Sequence, residues 1–196
     1  MATVGRGPFA TAHGGFAKQL AVHNGRAVRA NADLSDVQAA QIEPAAICFH
    51  AVRANSPRLG EVAIIQGAGP IGLSTLQWVR VAGAGTIIVV EPNEVRRELS
   101  LALGAHHAVD PSEASAFVSD HTMGLGADIV YECAGIPATI QSAVDLARRG
   151  GRVAIIGLAM GDAPISQRQW LTKEIQVRAA LGYTHCLLYT SPSPRD

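Results

Sequence analysis

The stretch QGAGPIG, at residues 66–72, places three glycines in the spacing G-x-G-x-x-G. The run from Glu61 to Ile65 before it shows no polar alternation, which is typical of a strand buried on both faces. The residues after it, to about Ala82, have the apolar spacing of a helix. The sequence therefore predicts a strand, a tight glycine turn and a helix in immediate succession.

Each glycine of this turn has a separate physical task. Gly67 permits the tight turn, Gly69 lets the backbone approach a pyrophosphate, and Gly72 lets the helix pack against the strand. Pro70 suits the first turn of a helix, where no backbone donor is needed. A helix N-terminus offers unpaired N–H groups and a positive dipole end, so we predict a phosphate site here. Its predicted cofactor contacts are Gly67, Gly69, Pro70, Ile71 and Gly72.

The next apolar run, Thr86 to Val90, ends at a carboxylate, Glu91. A carboxylate about twenty residues beyond the glycine turn can accept both hydrogen bonds of an adenosine ribose diol, as NAD recognition requires. It would also repel a ribose 2′-phosphate, which favours NAD over NADP. Arg96 and Arg97 leave NADP open, because an arginine near this carboxylate can receive that phosphate; Arg96 is therefore also a predicted contact. The alternative is a surface carboxylate that merely follows a strand.

Composition limits the possible classes of protein. The chain has 196 residues, of which 48% are hydrophobic and 16% charged, so it can fill a core and hold one ordinary domain and part of another. Its formal net charge of zero gives no reason to expect nucleic acid or an anionic membrane as partner.

With no long apolar run and no signal-peptide pattern, we expect a cytoplasmic protein. Its cysteines, Cys48, Cys133 and Cys186, form no C-x-x-C pair and are expected to be buried or incidental thiols.

Strand and helix patterns alternate regularly after the glycine turn. Asn93 is expected to cap a helix whose apolar face carries Val95 and Leu99, and Pro137 to begin another that ends before a glycine pair. Strands separated by short helical crossovers predict an α/β fold, a Rossmann doubly wound parallel six-stranded sheet in the order 3-2-1-4-5-6. The predicted strands are residues 61–65, 86–90, 107–110, 128–132, 152–156 and 175–179.

Two helices are predicted upstream of this sheet. Ser35 can cap a short helix, and Pro44 fits the first turn of a second helix that runs to about Ala54. Glu43 then lies at the break between them, where its side chain can face a cleft. The alternative for Glu43 is a carboxylate that is favoured at a helix start by the helix dipole.

Several short motifs along the chain together carry a family resemblance. They are GGFA at 14–17, EP at 43–44 with HAV at 50–52, the glycine turn, LGA at 103–105, ECAG at 132–135 and GGRV at 150–153. With these motifs, residues 14–184 resemble the medium-chain dehydrogenase/reductase superfamily and, within it, the zinc-dependent sorbitol, butanediol and threonine dehydrogenases.

The resemblance implies a division of the chain. Residues 1–54 would be the truncated C-terminal part of a GroES-like β catalytic domain with a connecting helix, and residues 55–184 an NAD(P)-binding Rossmann domain. The family segments that carry most zinc ligands have no counterpart, so we expect an internal fragment that does not oxidise alcohols by itself. Residues 185–196 resemble a translated sequencing adapter and are expected to be a non-native tail; a natural Ser/Pro-rich disordered tail is the alternative.

The resemblance also implies site residues. Glu43 matches the family's Glu-Pro position in the catalytic zinc site, as a ligand or as a partner of the zinc-bound water. Gly135, Ile156, Gly157 and Leu181 match positions whose backbone borders the nicotinamide ribose and carboxamide. No catalytic side chain can be assigned from the sequence.

The implied function is hydride transfer between a secondary alcohol or polyol and a nicotinamide cofactor, NAD in preference to NADP, with zinc as Lewis acid in the full-length protein. The implied partners are a small alcohol or ketone and further copies of the chain, as a homodimer or homotetramer. The alternative is a non-catalytic NAD-binding Rossmann module. A methyltransferase, which also has a glycine-rich turn, is disfavoured because family-like sequence continues through six strands.

Overall fold

The computed structural model describes Lys18 and residues 28–183. The chain divides into two compact units, Met1–Ile42 and Glu43–Asp196. In the first unit, α1 (Asp36–Ala40) begins after Ser35, whose hydroxyl caps the helix, as predicted. The catalytic-domain remnant predicted before residue 28 and the tail predicted from residue 185 lie outside the described residues.

The sheet and the helices around it make up the second unit. The elements, in chain order, are α2 (Ile42–Ala54), β1 (Val62–Gln66), α3 (Pro70–Val81), β2 (Thr86–Val90), α4 (Glu94–Ala102), β3 (His107–Val109), α5 (Ala114–His121), β4 (Ala127–Glu132), α6 (Pro137–Leu146), β5 (Ala147–Ile155), α7 (Gln167–Lys173) and β6 (Gln176–Ala179). The division at residue 42 groups nearly all of α2 with the sheet, and the domain boundary predicted after residue 54 stays a prediction.

All strand pairs of the sheet are parallel, and the strand order is β3-β2-β1-β4-β5-β6. This order confirms the predicted doubly wound topology. The chain moves outward from β1 to β3, crosses back, and continues outward from β4 to β6. β1 and β4 are therefore neighbours with crossovers leading in opposite directions, which makes a crevice at their carboxyl ends the expected ligand site.

Two hydrophobic clusters cover the two faces of the sheet. On one face, Ile65 of β1 and Tyr131 of β4 pack with Leu76 of α3 and Val52 of α2. On the other face, alternate strand residues pack with α5, α6 and Trp170 of α7. Burial on both faces explains why the central strands are almost continuously apolar.

Three local features differ from the sequence prediction. Helix α7 was not predicted, because its seven residues carry no clear apolar period. Two residues of the predicted apolar face of α4 lie outside the core: Val95 is 70% exposed and Leu99 45% exposed, while Ser100 is buried. The glycine pair Gly150-Gly151 lies in an irregular early part of β5, where the pairing with β4 shifts register, and not between a helix and a later strand.

Candidate dinucleotide-binding site

The glycine turn joins β1 to α3 at the crevice between β1 and β4. Gly67 has a φ of +90°, and a Cβ there would lie 3.0 Å from the Cα of Ala134 after β4. At Gly72 a Cβ would overlap the carbonyl oxygen of Gly67. Gly72 must therefore be a glycine, because α3 begins directly against the glycine turn. This contact is closer than the helix–strand packing that we predicted for Gly72.

The start of α3 is open to a ligand. Gly69 is the N-cap residue, no side chain caps the helix, and a Cβ at Gly69 would meet no atom within 4 Å. Pro70 is the first helical residue, so the donors of the first turn come from the backbone N–H groups of Ile71 and Gly72. Uncapped N–H groups beside open space at a positive helix end fit a phosphate group.

Glu91 lies at the carboxyl end of β2 and is only 4% exposed. Its Oε2 accepts a hydrogen bond from Ala68 N at 2.7 Å, and its Oε1 accepts one from Asn93 N at 3.0 Å. The carboxylate is thus tied to the glycine turn, a link that the sequence did not predict. Each carboxylate oxygen retains acceptor capacity beyond these single bonds, so the group can still receive ribose hydroxyls.

The two arginines near Glu91 differ in their surroundings. Arg97 Nη1 donates to the carbonyl oxygens of Glu91 and Pro92, at 2.8 and 2.7 Å, and lies 3.6 Å from a carboxylate oxygen of Asp110. Arg96 is exposed, and its backbone N–H donates to the capping side chain of Asn93. Arg96 is thus the more exposed of the two residues, whereas the Arg97 side chain is 22% exposed and its guanidinium is bonded to the protein.

Two buried polar side chains stand side by side at the crevice. Gln66 at the end of β1 is paired in register with Glu132 at the end of β4. Gln66 Nε2 donates to Ser142 Oγ of α6 at 2.9 Å, and Glu132 Oε1 accepts from Ala134 N, at 2.9 Å, among other donors. Gln66 Oε1 and Glu132 Oε2 have no hydrogen-bond partner within the described part of the chain. We did not select these residues from the sequence, although a polar residue ending each apolar strand was a usable signal.

The residues predicted to border the nicotinamide lie at the same edge of the sheet. Gly135, with a φ of +65°, follows β4, while Ile156 and Gly157 follow β5. The N–H groups of Ile156 and Gly157 both donate to the Glu132 carbonyl oxygen at 2.9 Å. Leu181 follows β6 and is 68% exposed. The structure thus brings together residues that are far apart in the sequence, and their role as cofactor contacts stays a prediction.

Glu43 is exposed in the first turn of α2. Within residues 28–183 the structure contains no group of three or more His, Cys, Asp or Glu side chains that could hold a metal ion. The described residues alone therefore do not fit a zinc site, and the predicted role of Glu43 stays a prediction. Burial raises the pKa of the Cys48 thiol, and burial likewise raises that of Cys133, which agrees with structural thiols better than with metal-binding thiolates.

An open parallel sheet with a glycine turn and a strand-end carboxylate at its crevice defines the class of α/β dinucleotide-binding folds. The sequence profile of the zinc-binding dehydrogenases matches residues 70–190. The chain belongs to the zinc-binding dehydrogenase family.

Individual relatives agree with this assignment. The sorbitol dehydrogenase of Bacillus subtilis is 34% identical over 155 residues, which are 78% of this chain and 44% of that protein. The crystal structure of 2R,3R-butanediol dehydrogenase from Bacillus subtilis superposes with a TM-score of 0.73 at 31% identity, over 82% of this chain and 47% of that one.

A zinc-binding dehydrogenase from Sinorhizobium meliloti, whose structure contains NADP, gives a TM-score of 0.73 at 32% identity over 81% of this chain and 48% of that one. The chain spans about half the length of the curated relatives it matches. None of the helices within the described residues is both long and apolar enough to pass through a membrane.

Proposed function

We propose that this chain is the cofactor-binding part of an oxidoreductase that transfers a hydride between a secondary alcohol or polyol and a nicotinamide dinucleotide. The observation that carries the proposal is the pairing of an uncapped glycine turn on β1 with the buried Glu91 carboxylate on β2, linked through Ala68 N. This pairing supplies a phosphate site and a ribose acceptor on adjacent strands, as dinucleotide binding requires. Family membership supports the reaction class, since relatives are named for sorbitol and butanediol, which are both polyhydric alcohols.

The positions of these groups support one orientation of the cofactor. The adenosine ribose would lie at Glu91, and the pyrophosphate would cross the N-terminus of α3. The rest of the dinucleotide would then extend over the carboxyl ends of β4 and β5, where Gly135, Ile156 and Gly157 lie. When bound, the nicotinamide would supply the hydride acceptor, and these residues of the chain would hold it in place.

The zinc part of the proposal rests on family membership, since the described residues offer only Glu43 from the predicted site. Substrate polarisation is therefore assigned to no side chain of this chain. A non-catalytic NAD-binding module, the alternative from the sequence, is not favoured, because the named relatives are dehydrogenases.

For the cofactor, we propose NAD in preference to NADP, and calorimetric titration of the 196-residue chain tests this choice. NAD should bind more tightly, because Glu91 accepts the ribose hydroxyls and repels a 2′-phosphate. Glu91→Ala should weaken NAD binding by about 1–3 kcal/mol, the range for hydrogen bonds left unmade. Equal affinities for the two cofactors would mean that the exposed Arg96 receives the 2′-phosphate and overrides Glu91.

Two variants separate charge from shape in this experiment. Glu91→Gln keeps the size of the side chain and removes its charge, so the preference for NAD should fall while the fold is retained. Glu94→Gln, in the first turn of α4 and exposed, removes the same charge nearby and should leave both affinities unchanged. An equal effect of both variants would assign the preference to general electrostatics and not to contact with Glu91.

For assembly, we propose a homodimer that joins two β6 edges. β6 ends the described sheet, pairs with β5 alone and exposes three of its four residues, and exposed edges favour pairing with another strand. Sedimentation at tens of micromolar protein should then show a dimer, and Ala179→Lys on the edge should shift it toward monomer. Ala102→Lys, on the exposed end of α4, is the matched control and should change nothing. A monomer for the unaltered chain would contradict the edge pairing.

A further inference from the structure

We propose that Glu132 is a positioning residue: it holds the turn after β4 and the loop after β5 together, and these two segments form the surface that contacts the nicotinamide half of the cofactor. The inference rests on the proposed function, because it concerns the same dinucleotide site. Glu132 is fully buried at the carboxyl end of β4, beside the crevice, and no part of the resemblance assigned it a role.

One oxygen of this carboxylate organises the turn that follows it. Glu132 Oε1 accepts hydrogen bonds from Ala134 N at 2.9 Å, Gly135 N at 2.8 Å and Thr139 Oγ1 at 2.7 Å. Three hydrogen bonds on one buried oxygen hold the backbone from the end of β4 to the first turn of α6, because a donor that lost this partner would be left unpaired away from water. Gly135 is thereby held at its φ of +65°.

The backbone carbonyl group of Glu132 extends this order to the loop after β5. The Glu132 carbonyl oxygen accepts the N–H groups of Ile156 and Gly157, both at 2.9 Å. A Cβ at Gly157 would overlap Gly135 N and lie 2.7 Å from Glu132 Oε2. The turn after β4 and the loop after β5 are thus in direct contact, with Glu132 between them, and movement of one requires movement of the other.

A comparison of the two crevice turns explains what this arrangement achieves. The turn before α3 leaves its helix N-terminus uncapped and open, which suits a charged phosphate. In the turn before α6, the N–H groups of Ala134 and Gly135 are bound by Glu132, and Thr139 Oγ1 of the first helical turn bonds to the same oxygen, although no side chain caps α6 itself. The protein therefore holds this turn in one conformation. A preorganised turn suits an uncharged group, such as the nicotinamide ribose and carboxamide, because little ordering of the protein is left to occur when the group binds.

The test compares two ligands on the 196-residue chain by calorimetry: NADH, and ADP-ribose, which lacks the nicotinamide. Glu132→Gln keeps the shape of the side chain but weakens its acceptor, and should raise the Kd for NADH about tenfold while changing that for ADP-ribose less than about twofold. Asp145→Asn, on the exposed side of α6, removes the same charge and should affect neither ligand. A merely structural role for Glu132 would weaken both ligands equally or neither, and either result would overturn the proposal.

A second pair of variants covers the case in which Glu132→Gln does not fold. Thr139→Val removes one of the three donors to Glu132 Oε1, and should weaken NADH selectively by about threefold. Thr139→Ser restores the hydroxyl and should restore NADH affinity. Absence of this pattern, or an unaltered chain that binds NADH no tighter than ADP-ribose, would also overturn the proposal. If the unaltered chain binds neither ligand, the proposed function itself fails.

Discussion

Gly72→Ala is expected to abolish measurable dinucleotide binding and to lower the free energy of unfolding by about 3 kcal/mol. The added Cβ would overlap the carbonyl oxygen of Gly67, and that oxygen belongs to backbone that cannot rotate away as a side chain would. Either the turn or the start of α3 must therefore move, and each movement displaces the N–H groups that we propose as the phosphate site. Urea unfolding followed by circular dichroism and titration with NADH measure the two effects.

Gly69→Ala provides the matched control for this experiment. Gly69 has a φ of −73°, which alanine adopts without strain, and its Cβ would meet no protein atom within 4 Å. We expect the stability of Gly69→Ala to stay within about 0.5 kcal/mol of the unaltered chain, while its new methyl group weakens dinucleotide binding. If Gly72→Ala is as stable as Gly69→Ala, the close contact at Gly72 is not what shapes the turn.

Tyr131→Ala is expected to lower the free energy of unfolding by about 3–5 kcal/mol. Tyr131 is fully buried in β4, where it packs in the cluster that α2 and α3 form on one face of the sheet. Its hydroxyl donates to the carbonyl oxygen of Asn55 at 2.6 Å, directly after α2. The substitution would leave a large cavity and an unpaired carbonyl group at the junction of α2 with the sheet.

Tyr131→Phe separates the two contributions, because it retains the ring and removes only the hydroxyl. We expect it to cost about 1–2 kcal/mol in the same urea unfolding experiment. A loss below about 1 kcal/mol for Tyr131→Ala would mean that α2 does not pack on the sheet as the structure shows. Equal losses for the two variants would assign the whole effect to the hydrogen bond.

The sequence by itself was enough to predict the sheet and the glycine turn after its first strand. Strands 86–90 and 128–132 were predicted within one residue, and Asn93 was predicted as the cap of α4. These features depend on local properties: continuous apolar runs, glycine spacing and a side chain that bonds to its own helix. The strand order then follows from two general rules: connections between strands are short, and crossovers between parallel strands are right-handed.

Only the tertiary structure decided what the polar residues of the crevice contact. The bond from Ala68 N to the Glu91 carboxylate, and the bonds from Ile156 N and Gly157 N to the Glu132 carbonyl oxygen, join segments that are far apart in the sequence, and no local pattern encodes them. The same reason explains why Val95 and Leu99 are exposed despite their helical apolar spacing: periodicity shows that a helix has an apolar face, and only the position of the helix shows what covers it. Burial and hydrogen-bond partners are properties of the assembled sheet, so they cannot be obtained from spacing alone.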